Sequence, residues 1–132
     1  MRAVSPFTVD DFAGDPAFRE ADDGRVQFAR AHIEKTFGGD LVGTGSVDMM
    51  SITAGTEGAA YVALEWIEGT LHGKTGGFAL LHAADDELRL WHIAPGSGAG
   101  DLTGIRGRAE IDIDESGAHT LNLDYELDGP PT

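Results

Sequence analysis

Glu65, His82 and Tyr125 are the side chains of this sequence best suited to moving a proton. Glu65 sits within Tyr61-Val62-Ala63-Leu64-Glu65-Trp66-Ile67, where strand alternation puts it on one face with Tyr61, Ala63 and Ile67. A carboxylate on an inward face can serve as an acid or base. If Val62, Leu64 and Trp66 line the core instead, Glu65 is a solvated charge, and the pattern leaves both registers open. Phe78, Leu80 and His82 share a face, as do Trp91 and Ile93. Glu65, Phe78, His82, Trp91 and Tyr125 therefore outline an aromatic-lined pocket with polar tips, although a solid core would use the same residues.

Other motifs carry less. Gly69-Thr70-Leu71-His72-Gly73-Lys74-Thr75 resembles a phosphate-binding loop, but Glu68 stands where the first glycine belongs and the apolar run after Gly77 indicates a hairpin strand. Pro95-Gly96-Ser97-Gly98-Ala99-Gly100-Asp101-Leu102 is a glycine-dense turn whose amides can form an anion nest. The reading favoured here is a tight crossing in which alternate glycines supply positive φ at a rim. Ser97 lacks the Gly-x-Ser-x-Gly elbow of a serine hydrolase. None of the five histidines forms a His-x-His or His-x-x-x-His pair, so no metal is assigned, and no cofactor either.

Strands must position these residues. Glycines and turn residues divide the chain into candidates Val4–Val9, Val26–Phe37, Gly43–Thr53, Ala59–Gly69, Leu71–Ala83, Leu88–Ala94, Thr103–Ile113 and Ala118–Leu127. Alternation is clearest in the last, with Leu121, Leu123, Tyr125 and Leu127 on one face and Thr120, Asn122, Asp124 and Glu126 on the other. Val26, Ala29, Ile33 and Phe37 fall at helical spacing, with Asp22 or Asp23 as a cap and Gly38-Gly39 as a stop. Local pattern alone makes that segment a helix.

Composition narrows the classes. With 132 residues, 41% hydrophobic, the expectation is one domain over 1–127 with a short tail at 128–132. Acidic residues outnumber basic ones 23 to 9, giving a net charge of -14 that repels nucleic acid and anionic membrane surfaces. The chain has no cysteine, which excludes disulfides and thiol catalysis. The N-terminal run shows no long apolar core and no stretch is long enough to span a bilayer, so the expected location is cytoplasmic.

The run from Trp91-His92-Ile93 through Pro95 to Gly107 resembles the signature of an uncharacterised bacterial domain family with allene-oxide-cyclase-like barrels. The resemblance extends to Phe37-Gly38-Gly39-Asp40-Leu41 with Gly43 and Gly45, Leu64-Glu65 with Gly69-Thr70-Leu71, Gly77-Phe78 with Leu81-His82, and Leu123-Asp124-Tyr125. The glycine turn with Gly104-Ile105-Arg106-Gly107 is also similar to a segment of plant dirigent proteins. The resemblance implies an all-β protein with little helix, a closed eight-stranded antiparallel β-barrel of calycin-like type. It also implies self-association as a dimer or trimer, and on this ground Val26–Phe37 is taken as a strand.

Three functions follow as expectations. The first is uptake of a small apolar or aromatic molecule by the barrel. The second is an isomerase or cyclase in which Glu65, His82 or Tyr125 supplies a proton or hydrogen bond. The third is a non-catalytic, self-associating structural protein, which needs an apolar exterior patch.

Overall fold

The computed structural model describes residues 1–128, without the side chains of residues 16 and 17. Of the expected tail, 129–132 lie outside the described residues. Nine strands run in chain order: β1 (Arg2–Ala21), β2 (Val26–Phe37), β3 (Leu41–Ala54), β4 (Gly58–Leu71), β5 (Lys74–Ala84), β6 (Arg89–Ile93), β7 (Ala99–Gly100), β8 (Arg106–Ile113) and β9 (His119–Glu126). Every pairing is antiparallel, and among the described residues there is no helix. No helix is therefore long and apolar enough to cross a membrane.

Each of β1 to β5 pairs with the next, β6 pairs with β8, β8 with β9, and β9 returns to β1. The result is a ring of eight strands, with the short β7 laid against β5. Such a ring pairs its strands on both sides and leaves few free edges. Its weakest joint lies between β6 and β8, which share the single paired position His92–Arg108.

The helical spacing of Val26–Phe37 yields to pairing. All twelve residues are opposed by Val26–Ala54 through Phe37–Gly43 on β3. Asp22 and Asp23 do not cap a helix, since both take φ of 54° in the turn that joins β1 to β2. Asp and Asn tolerate this left-handed region better than most residues.

Three strand boundaries differ from expectation. The first strand continues past Val9 to Ala21, with register shifts at Val9/Asp11 and Asp15/Arg19 that keep the long arm paired to β2. Leu71–Ala83 does not start as a strand: His72 and Gly73, at φ of 47° and 82°, form a two-residue turn between Leu71 and its partner Lys74. The phosphate-loop look-alike is thus a hairpin. Residues 103–105 belong to the glycine turn, where Ile105 N donates to Leu102 O at 3.0 Å, and β8 begins only at Arg106.

Inside the ring, Phe7, Phe37, Leu41, Ile67, Phe78, Leu80, Leu102 and Leu123 pack into one apolar core. The glycine turn closes over it. Gly76 on β5 approaches Ala99 so closely that a Cβ there would collide with the Ala99 carbonyl, which explains a glycine where β7 crosses. On β4 the two faces divide as Ala63, Glu65 and Ile67 inward, and Val62, Leu64 and Trp66 outward and exposed.

Candidate ligand-binding site

Two features of the ring merit chemical scrutiny, one inside it and one at its weak joint. Inside, Glu65 is 1% exposed and His82 3% exposed. Strand register explains the meeting: Glu65 opposes Leu80 on β5, two residues from His82 on the same face. His82 Nε2 lies 2.7 Å from Glu65 Oε1, and Lys35 Nζ donates to the same oxygen at 3.2 Å. Lys35 Nζ also stands 4.6 Å from the centroid of the Phe7 ring, a favourable seat for a cation.

An ionised Glu65 accepts from both neighbours, which offsets the large desolvation cost of burying its charge. Its second oxygen, Oε2, is buried without a partner among the described residues. Gly45 on β3 makes room for it, because a Cβ at that position would strike Oε2 and the Phe37 ring. The cluster can hold or relay a proton, but burial keeps it from direct contact with a solvent-borne substrate in this conformation.

At the joint between β6 and β8, a solvent-open cleft of about 980 Å³ is lined by residues 89–92, 106–112 and 124–126 together with Met1. Because pairing there is limited to His92–Arg108, side chains of both sheet faces border the opening. Trp91 contributes aromatic surface, Leu90 and Ile111 aliphatic surface, and Arg89, Arg106 and Arg108 positive charge, while Tyr125 borders the cleft from the core and is only 3% exposed. The Trp91 indole Nε1 is buried and has no hydrogen-bond partner among the described residues. A buried donor left unpaired costs about 1–3 kcal/mol.

The pocket outlined from the sequence is therefore split. Glu65 and His82 meet, and Trp91 is the direct cross-strand neighbour of His82. Phe78 is fully buried core. Tyr125 lines the cleft, but its hydroxyl lies 2.6 Å from His72 Nδ1 at the turn that ends β4. His72 is seven residues beyond Glu65, or about 23 Å along the strand direction. Burial pushes the Tyr125 hydroxyl above its ordinary pKa, with Asp40 adding in the same direction.

In the glycine turn, Pro95, Gly96 and Gly100 are exposed. Ser97 Oγ donates to Ala94 O at 2.7 Å and accepts from Ala79 N at 3.0 Å, so it fastens the turn to β5. The amides of Ser97, Asp101, Leu102 and Thr103 all donate to backbone carbonyls. Three of them close within the turn and Asp101 N reaches Thr75 O on β5, so all four are committed, which favours the crossing over the nest, and Gly98 sits where a Cβ would meet Leu102 O. Asp101 Oδ2 accepts from Thr75 N at 3.4 Å.

Lys35 is the residue that sequence reasoning missed. Its signal was its place two residues before Phe37 on what proves the inward face of β2.

Fold and site together define an all-β protein built as an antiparallel eight-stranded ring, with a buried charged cluster and an open cleft at one joint. The chain belongs to the family described as protein of unknown function (DUF3224), whose model matches residues 3–125. It is similar to a crystal structure of a protein with unknown function from the DUF3224 family of Shewanella oneidensis MR-1. The two are 31% identical, the match covers 98% of each chain, and the TM-score is 0.88. No curated protein matches the chain.

Proposed function

We propose that the ring acts as a closed, allene-oxide-cyclase-like barrel that binds a small apolar or aromatic molecule at the joint between β6 and β8. The observation that carries this reading is the cleft of about 980 Å³ bordered by Trp91, Leu90 and Ile111, with an indole N–H that has no partner among the described residues. Its size suits a small organic ligand. The inward side chains pack into one apolar core, so the cleft, and not the inside of the ring, is the place for a guest.

The test uses Trp66→Phe, which leaves Trp91 as the only tryptophan. Titration with 3-phenylpropanol is expected to change Trp91 emission saturably. Emission that stays constant up to the solubility limit of the alcohol would defeat the proposal.

A second reading, self-association, draws on the outer face. Met50 opposes Val62, Val62 opposes Ala83, and Ala83 opposes Leu90, which makes an uncharged row across β3 to β6. Leu64 and Trp66 extend it, and Met50, Val62, Leu64, Trp66 and Leu90 are all exposed. In a chain of net charge -14, a second copy is repelled over much of the surface but meets no like charge on this row. Sedimentation should then show a dimer or trimer that Leu64→Lys dissociates. A native protein that sediments as a monomer counts against this reading.

A further inference from the structure

Three of the seven arginines border the β6–β8 cleft in a protein with 23 acidic residues. Arg106 is committed, with Nη2 at 2.9 Å from Glu126 and Nη1 at 3.3 Å from Asp128. Arg89 donates only to backbone carbonyls, those of Asp85 and Leu88. Arg108 has no carboxylate within 4.0 Å among the described residues, although acids outnumber bases by more than two to one.

Most acids of the lining are already engaged. Asp112 accepts from Asn122 Nδ2 at 2.6 Å, Asp124 pairs with Arg2 at 3.5 Å, and Glu126 pairs with Arg106. Glu110 alone of the four lining acids has no partner among the described residues, so the free charged groups of the lining are that carboxylate and the Arg108 guanidinium, with Arg89 held only by backbone carbonyls. A guanidinium fork matches a carboxylate in two parallel hydrogen bonds and is less well served by a neutral hydroxyl.

Resting on the proposed binding role of the same cleft, we infer that its ligand is a small organic carboxylate. The carboxylate lies against Arg108, which shares the outward face of the joint with His92, and the apolar or aromatic body lies along the cleft toward Trp91. Arg108 opposes His92 at the only paired position of β6 and β8, which fixes it at the narrowest point of the joint. The positive rim also gives an anion a local foothold on a protein whose overall field repels it.

The experiment is calorimetric titration of the wild-type protein with two matched pairs, 3-phenylpropionate against 3-phenylpropanol and octanoate against octanol. In at least one pair the carboxylate should bind roughly tenfold or more tightly than its alcohol. Arg108→Gln should abolish that preference, bringing the acid's affinity to that of its alcohol; Arg89→Gln should reduce it. Equal binding of acid and alcohol would overturn the inference and leave the cleft as an apolar site. A preference that survives in Arg108→Gln also overturns it. If none of the four probes binds, the cleft reading falls together with the inference.

Discussion

Lys35 Nζ and Glu65 Oε1 lie 3.2 Å apart inside the ring, a cation and an anion held beside His82, with the Phe7 and Phe37 rings close by. Such a pair contributes little net stability while intact, because its Coulomb gain is spent against desolvation. Removing Lys35 leaves the buried Glu65 with His82 alone, and removing Glu65 leaves Lys35 with no carboxylate among the described residues. Lys35→Met is therefore expected to cost about 3–5 kcal/mol, and Lys35→Met combined with Glu65→Leu less than the sum of the single changes. Urea denaturation of the single and double variants measures both; additive costs would mean the two side chains do not act as a pair.

Gly45 is where the ring makes space for that anion. Gly45→Ala places a methyl group against Glu65 Oε2 and the Phe37 ring, with an expected loss of about 1–3 kcal/mol. Gly38→Ala meets nothing within 4 Å and should fall within about 0.5 kcal/mol of wild type. Thermal unfolding of the two alanine variants gives the comparison.

On the outer face, His32 Nδ1 lies 2.9 Å from Asp48 and Nε2 2.6 Å from Glu34. The hydrogen bonds to Asp48, then Glu34, raise its pKa above the ordinary 6.5. The stability it lends is present in full below about pH 6.5 and disappears as pH rises through the raised folded-state value. His32→Gln should accordingly destabilise the protein more at about pH 6 than at about pH 9. NMR titration of the His32 ring should give a midpoint above 6.5.

Burial holds the Tyr125 hydroxyl above the ordinary 10.0. As pH rises past 10, the unfolded chain loses this proton first, so stability should fall in strongly alkaline solution. Ultraviolet titration is expected to show a late-ionising tyrosine that is missing in Tyr125→Phe.

The residues also show how far sequence carries. Alternation identified the last strand, and Leu121, Leu123 and Tyr125 are indeed buried. On β4 the same rule could not choose a face. Val62, Leu64 and Trp66 make the more apolar set yet lie outside, while Glu65 lies inside, because neighbouring strands bring Lys35 and His82 to it. Lys35 stayed hidden in a segment with helical spacing, where a lysine reads as solvated. The cleft was illegible as well, since it arises from the sparse pairing of β6 with β8 and not from any local motif.

The most direct test of ligand binding at the β6–β8 joint is amide chemical-shift mapping of the protein titrated with 3-phenylpropanol. Perturbations centred on residues 89–92, 106–112 and 124–126, with a shifted Trp91 indole N–H, are expected. Perturbations confined to Val62, Leu64 and Trp66 on the outer face of β4, or none at all, would contradict it.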